Sequence, residues 1–234
     1  MAAGFGKRMQ PLTFETPKPL VKVNGVRMID TVVNGLRTNG ITEIYVIVGH
    51  LKEQFYEWSA DNRNITIIEN PYYACCNNIS SLYVAREHIR DCIIIDGDQI
   101  IYNPSILSPE FTLSGYNAVW NEGKTNEWLM TVSDGIVRSC SRTGGAHGWQ
   151  LYSISRWTAE DGEKLEAYVE QEFENNNKQI YWDDIPMFCY FNDFRLGIRE
   201  MKKNDIVEID DLRELVEIDH SYQAYLSKKR AGEK

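Results

Sequence analysis

Apolar positions in the first half of the chain follow two alternating periods. Ile29, Val32, Val33 and Leu36 recur at helical spacing and give way to Gly40, a helix C-terminal cap, before the apolar stretch Ile44-Tyr45-Val46-Ile47-Val48. Leu51, Phe55 and Trp58 predict a second helix, and Ile65-Thr66-Ile67-Ile68 a second strand ending at the turn-prone Asn70-Pro71. A helix is predicted over Ser81 to His88, then a third buried strand, Cys92-Ile93-Ile94-Ile95, running into Asp96-Gly97-Asp98. Such alternation predicts a mostly parallel sheet with helices on both faces and ligands at the carboxyl ends of its strands.

The second half has a different texture. Short strands are predicted at Tyr116–Trp120, Trp128–Val132, Ile136–Cys140 and Gln150–Ile154, separated by turns such as Ser133-Asp134-Gly135, which together suggest an antiparallel lobe. A helix from Ala159 to Glu174, a strand near Leu196 to Arg199 and a last helix from Asp211 to Tyr225 follow. The charged tail from Lys228 to Lys234 is expected to fray. The fold class expected is therefore α/β, a Rossmann-like doubly wound mixed sheet with a small antiparallel lobe. No repeat or linker divides the 234 residues, so one domain is expected: a half over about 1–115, a second over about 116–210, and a terminal helix and tail over 211–234.

Composition narrows the partner. With 34 acidic against 25 basic residues and a net charge of -9, broad attraction to nucleic acid or anionic lipid is not expected. The partner is then a small molecule, and any anion must be held by local groups. Five cysteines without C-x-x-C spacing read as reduced thiols. No run of about 18 apolar residues exists, and Met1-Ala2-Ala3-Gly4 lacks the features of a signal peptide, so no membrane partner and a cytoplasmic location are expected.

Glycine and cations cluster at the start. Ala2-Ala3-Gly4-Phe5-Gly6-Lys7-Arg8-Met9 sets small residues where backbone N–H groups can approach phosphate oxygens, with Lys7 and Arg8 directly after them. It is not a Walker A loop, because Arg8 stands where Ser or Thr would ligate magnesium, nor a dinucleotide fingerprint, because Met9 replaces the third glycine. Gly4-Phe5-Gly6 alone is equally a turn with solvated charges. Asp96-Gly97-Asp98 offers hard oxygen ligands at a strand end, the place where magnesium is held by one or two carboxylates.

The longer segment, continuing through Pro11-Leu12-Thr13, Thr16-Pro17-Lys18-Pro19-Leu20 and Val23-Asn24-Gly25, resembles the signature of the nucleotidyltransferase superfamily. That superfamily includes the sugar-nucleotide pyrophosphorylases and the CTP:phosphocholine cytidylyltransferases. The resemblance implies the nucleotidyltransferase fold, Ala2, Ala3, Gly4, Gly6, Lys7 and Arg8 around a nucleoside triphosphate, Arg8 on the departing phosphates, and Lys18 between the α-phosphate and the acceptor phosphate. It also implies Mg2+ held by Asp98, with Asp96 nearby, and by Asp210 at the end of Ile206-Val207-Glu208-Ile209-Asp210; an N-cap for the following helix is the other reading of Asp210. An acceptor phosphate already carries its nucleophilic oxygen, so no general base is needed, and His50, His88, His147 and His220 fall in no acid/base constellation. A strand leading into Ala2-Ala3-Gly4 is implied as well; Met1 stands where it would end, and restored upstream residues are expected to raise thermal stability.

Two further segments bear on specificity. Asn77, Asn78 and Ser80 lie in a stretch resembling the Asn-Asn-Ile-x-x-x-Tyr element of the phosphocholine cytidylyltransferases, which favours CTP, although an Asn pair ahead of a helix is equally a cap. Gly49 is a further candidate for the base pocket. Trp128, Tyr181, Trp182 and Asp183 resemble that family's Asn-Glu-Trp and Tyr-Trp-Asp elements and could cage a quaternary ammonium, though any single tryptophan equally fills a core. Arg142 to Gln150 looks like an extra anion-facing loop, in keeping with relatives that activate aminoethylphosphonate. The implied reaction is transfer of CMP from CTP to phosphocholine, with 2-aminoethylphosphonate or phosphoethanolamine as the alternative acceptor. Sugar-1-phosphate transfer is more distant, and a non-catalytic nucleotide-binding module is the reading from another class. A fused or dimeric partner is left open.

Overall fold

The computed structural model describes residues 1–232. In chain order its elements begin with β1 (Lys22–Val23), β2 (Val26–Arg27), α1 (Met28–Thr38), β3 (Ile44–Val48), α2 (Lys52–Ala60) and β4 (Ile65–Glu69). Next come α3 (Ile79–Val84), β5 (Cys92–Ile95), β6 (Gln99–Ile101), β7 (Gly115–Asn121), β8 (Leu129–Ser133) and β9 (Ile136–Ser141). The chain closes with β10 (Gly148–Trp157), α4 (Ala159–Glu174), β11 (Gly197–Glu200), β12 (Ile206–Glu208), α5 (Leu212–Ile218) and α6 (Gln223–Gly232). No helix of the described residues is long and apolar enough to cross a membrane.

Contacts gather these elements into two compact units that do not follow chain order. The first is Met1–Cys75, Asp96–Ser105 and Ile206–Lys234; the second is Cys76–Ile95 and Ile106–Asp205. The sequence-based division near residue 115 cut across both.

In the first unit β3 and β4 pair in parallel, Ile44 opposite Ile65. Ala2 forms an isolated parallel bridge to Val48, its N–H donating to Ile47 O at 2.8 Å, while Met1 O accepts from Gly97 N at 2.9 Å. Helix α1 buries Met28, Ile29, Val32, Val33 and Leu36, the stripe read from its spacing. Strands β6 and β12 pair antiparallel with Gln99 opposite Glu208. Continuing that register sets Asp98 level with Ile209 and Asp210 one residue beyond, at the same end of the ribbon. A fully apolar cluster of Met9, Leu12, Val21, Met28, Ile209, Leu212 and Leu215 fixes the N-terminal loop against the start of α5, so burial of apolar surface there holds the charged residues beside it.

The second unit is built on a six-stranded sheet in the order β5-β10-β7-β11-β9-β8. Only β11 and β7 run parallel in it; β5, expected in a parallel array, pairs antiparallel with β10, Ile95 opposite Ile154. The sheet is thus mixed, and among the described residues parallel pairing is confined to β3 with β4, β7 with β11 and the Ala2–Val48 bridge. Apolar runs such as Cys92–Ile95 are equally at home in either pairing when both faces are covered. Helix α4 has its expected limits, with Thr158 accepting from Asp161 N as its N-cap.

Two helix predictions need correction. The helix expected over Ser81 to His88 is α3 followed by a separate 3-10 turn, Arg86–His88. The last helix breaks at Asp219, whose extended backbone and side chain accepting from Ser221 N cap a new turn, so local capping competes with continuation. Of the tail expected to fray, the part to Gly232 is helical and Glu233 and Lys234 lie outside the described residues. All five cysteines are free thiols.

Candidate active site

The N-terminal loop leaves β3 well braced. Gly6 has φ +60°, and a Cβ there would stand 2.8 Å from Thr13 Cγ2, so glycine is required by both backbone and space. Thr13 Oγ1 donates to Gly6 O at 2.9 Å, and His50 Nε2 lies 2.7 Å from Thr13 O. The Phe5 ring packs against His50 and Tyr73, both at 5.1 Å between centroids. Among the described residues, the N–H groups of Gly4, Phe5, Gly6, Lys7 and Arg8 have no acceptor, which leaves successive amides for an incoming anion. Lys7 is exposed, its Nζ over the Phe5 ring. Gly49 lies under this loop: a Cβ there would meet Tyr73 Cγ at 2.5 Å and Ala3 O at 2.8 Å. Asn70, a neighbour of the expected base pocket, is buried, its Oδ1 accepting from Tyr72 N at 2.8 Å.

Lys18 is set by prolines on either side. Pro17 and Pro19 shape a 3-10 turn, Lys18–Leu20, in which Leu20 N donates to Pro17 O. Its Nζ donates to Asp98 Oδ2 at 2.6 Å and to Asp210 Oδ1 at 3.2 Å, and Arg8 Nη2 donates to the same Asp210 oxygen at 2.8 Å. The fourfold set Arg8, Lys18, Asp98 and Asp210, drawn from segments about two hundred residues apart at the extremes, is thus one ion-paired cluster within the first unit. Burial alone would lower the Lys18 pKa; Asp98 first, then Asp210 and Glu208, outweigh it and hold it above the ordinary lysine value. Lys18 is therefore a full cation at neutral pH. The helix cap that Asp210 might have served is made by Asp211, whose side chain accepts from Arg213 N and Glu214 N while Glu214 completes the capping box.

Sequence patterns did not single out Glu208 or Lys229. Burial first, then the charges of Asp98, Asp210 and Asp96, push the Glu208 carboxyl well above the usual carboxylate range. Lys229 Nζ donates to Arg8 O at 2.7 Å, fastening α6 to the loop. Apolar strand positions flank Glu208 and would have marked it as an acid in an unusual place; nothing local marks Lys229.

The oxygen donors fit a hard divalent cation. Asp98 Oδ1 is buried without a hydrogen-bond partner among the described residues, and an orphaned buried carboxylate oxygen calls for a cation. Among those residues no three His, Cys, Asp or Glu side chains are grouped to hold a metal ion; a metal such as Mg2+ takes one or two carboxylates with other oxygen ligands.

The remaining candidates belong to the second unit. Asn77 N donates to Lys178 O at 2.8 Å and Asn77 Nδ2 to Gln179 O at 3.1 Å; Asn78 Oδ1 accepts from Trp182 N at 2.9 Å. Ser80 is buried, its hydroxyl donating to Asn77 O. These amides tie the start of α3 to the segment that carries Tyr181, Trp182 and Asp183. Trp182 is 2% exposed and packs with Tyr116 and Trp157 at 6.2 and 6.0 Å between ring centroids, so it lies in the core. Tyr181 is half-exposed, and its ring meets Trp128 edge-on at 6.1 Å. Asp183 is partly buried; burial and its charge raise the Tyr116 phenol well above its ordinary value and push the Cys140 thiol up to about 12. Arg142, expected to face an external anion, instead pairs with Asp184, Nη2 to Oδ1 at 2.6 Å.

Successive amides without backbone acceptors, two cations and two convergent carboxylates on an α/β frame suit the phosphates of a nucleotide. The chain belongs to the MobA-like NTP transferase domain family, whose model matches residues 1–147. It is similar to 2-aminoethylphosphonate cytidylyltransferase of Lancefieldella rimae, 35% identical over 95% of this chain and 91% of that protein. It is 32% identical to choline-phosphate cytidylyltransferase of Streptococcus pneumoniae over 93% of this chain and 96% of the relative. The solved CTP:phosphocholine cytidylyltransferase from Streptococcus pneumoniae superposes with a TM-score of 0.87 at 30% identity, covering 94% of this chain and 95% of that one.

Proposed function

We propose that the chain is a cytidylyltransferase that moves CMP from CTP onto 2-aminoethylphosphonate, releasing pyrophosphate. The cytidylyl half of this assignment follows the relatives, which share it over nearly the whole chain. The acceptor is carried by one observation: Trp182, a ring the cage for a quaternary ammonium would have used, is enclosed in the core. That leaves the Tyr181–Asp183 segment with fewer ring faces, a setting poorly suited to a trimethylated ammonium, whose binding depends on such faces. Phosphocholine is the second reading, favoured by the Trp128–Tyr181 ring pair.

The chemistry is an in-line displacement. A phosphonate oxygen of the acceptor attacks the α-phosphorus, and the bond to the β-phosphate oxygen breaks with pyrophosphate leaving. Lys18 neutralises charge on the α-phosphate and the incoming oxygen, Arg8 neutralises the departing phosphates, and the amides of Gly4 to Arg8 hold phosphate oxygens. Asp98 and Asp210 would hold Mg2+, which when bound neutralises phosphate charge.

The test is pyrophosphate release with each nucleoside triphosphate against 2-aminoethylphosphonate, phosphoethanolamine, phosphocholine and glucose-1-phosphate, with and without Mg2+. CTP with 2-aminoethylphosphonate is expected to lead. A lead by phosphocholine reverses the choice of acceptor, and turnover only with a sugar phosphate, or none at all, overturns the assignment.

A further inference from the structure

The N-terminal loop lacks one donor of its own. Arg8 lies in a 3-10 turn, Lys7–Met9, where Met9 N donates to Gly6 O at 2.8 Å and Gln10 N to Lys7 O at 3.3 Å. The next carbonyl in that series is Arg8 O, and the residue three positions on is Pro11, which has no N–H to give it. Among the described residues no backbone N–H reaches Arg8 O. Its donor is Lys229 Nζ at 2.7 Å, brought from 221 positions away. An ammonium at the carbonyl end of a helical turn satisfies that carbonyl and opposes its partial negative charge.

Helix α6 and the turn before it are fixed to the same stretch of chain at three further points. Leu226 is buried in the apolar cluster with Met9 and Leu12, the Tyr225 hydroxyl donates to Glu15 Oε2 at 2.8 Å, and the Tyr222 hydroxyl donates to Lys22 O at 2.6 Å. All of these residues belong to the first unit. Met9 is fully buried, whereas the Arg8 side chain is 68% exposed. A long exposed side chain meets a ligand at the cost of its rotamer freedom, and a fixed main chain beneath it leaves less to be ordered on binding. With its Nη2 on Asp210 and its carbonyl on Lys229, Arg8 is held at both side chain and backbone.

We infer that Lys229 is a positioning residue for the phosphates that depart: by supplying the donor that Pro11 lacks, it sets the main chain of Arg8 and, through it, the guanidinium that meets the β- and γ-phosphates. It acts through Arg8 and takes no part in bond making. The inference rests on the role proposed for Arg8 and is independent of which acceptor is used.

Equilibrium dialysis of CTP, CMP and pyrophosphate, in Mg2+ and without acceptor, tests this on the complete protein. Wild type is compared with Lys229→Met, which loses the donor, with Lys229→Arg, which keeps a donor and the charge, and with Tyr225→Phe, which frees another point of the same helix. Lys229→Met is expected to weaken CTP and pyrophosphate binding about three- to tenfold, the size of one net hydrogen bond. CMP, which has no β- or γ-phosphate, should be unmoved. Lys229→Arg should restore most of the loss, and Tyr225→Phe should cause none. In an Arg8→Ala background the further change Lys229→Met should have no effect, because residues that act through one another are not additive. Equal weakening of CTP and CMP, the same factor from Tyr225→Phe, or a factor that persists in the Arg8→Ala background overturns the inference. If melting curves show that Lys229→Met does not fold, Lys229→Ala carries the same comparison. A wild type that binds CTP and pyrophosphate with affinities unmoved in Lys229→Met defeats only the role of Lys229. One that binds neither defeats that role and the proposed function together.

Discussion

Lys18 Nζ lies 2.6 Å from Asp98 Oδ2, joining residues 80 positions apart, with the Lys18 side chain 10% exposed and that of Asp98 23%. This contact binds the proline-framed turn of the signature loop to the carboxylate that follows β5, and it makes the loop and the acidic cluster one site.

Replacing Lys18 with Met removes the cation shared by Asp98 and Asp210. The remaining carboxylates repel one another, so stability should fall by about 1–3 kcal/mol, solvent access to both acids keeping the loss below that of a fully buried pair. Turnover should fall further, by about 10²–10³-fold, because the proposed mechanism uses this charge to stabilise the transition state. Thermal melting and initial rates check the two effects separately; a variant with near-normal kcat/KM contradicts the assigned role.

Gly49→Ala tests how tightly the loop is seated. The added methyl would collide with Tyr73 Cγ at 2.5 Å and Ala3 O at 2.8 Å, and overpacking of this kind costs about 1–3 kcal/mol. A lower melting temperature and a raised KM for CTP are expected, since the same displacement moves the Ala3–Gly4 backbone. An alanine variant with unchanged melting temperature and KM contradicts the close packing.

Tyr181 and Trp182, neighbours in sequence, should respond oppositely. Trp182→Ala empties a core site among Tyr116 and Trp157 and should cost about 3–5 kcal/mol. Tyr181→Ala removes a half-exposed ring and should leave melting nearly unchanged while raising the acceptor KM severalfold. The reverse pattern would exchange their places in the account.

Burial pushes the Cys92 and Cys140 thiols up to about 12. In the unfolded chain they ionise near about 8.5, so their contribution to stability is complete below that pH and is lost as pH rises towards about 12. At pH 8 iodoacetamide should label the exposed Cys75 faster than the partly exposed Cys92 and Cys140, whose raised pKa leaves little thiolate, with the difference lost on denaturation, read by mass spectrometry. Equal labelling rates in the native protein contradict the raised pKa of those two thiols.

The parts of the site that were legible in sequence are those written in short segments. Pro17-Lys18-Pro19 fixes its own turn, and Asp98 and Asp210 stand just outside the two strands whose register brings them together. The amides of Asn77 and Asn78 were ambiguous because their partners, Gln179 O and Trp182 N, lie 102 and 104 positions away. The pairing of β5 was hidden for the same reason: an apolar run records burial on two faces and says nothing of strand direction. Nor could aromatic type distinguish Trp182, enclosed by two rings, from Tyr181, open to solvent, since both side chains serve either place.

The proposed nucleotidyl transfer depends on Arg8, Lys18, Asp98 and Asp210, and Asp98→Asn probes that dependence with the least change, because the amide keeps the shape of the side chain and removes its charge. Transfer of label from α-phosphate-labelled CTP to 2-aminoethylphosphonate is measured in Mg2+ for wild type and variant, alongside melting curves. The expected result is labelled product from the wild type and a loss of about 10²-fold or more in the variant, with the fold retained. Wild-type-like transfer by Asp98→Asn, or no transfer by either protein, would contradict the account.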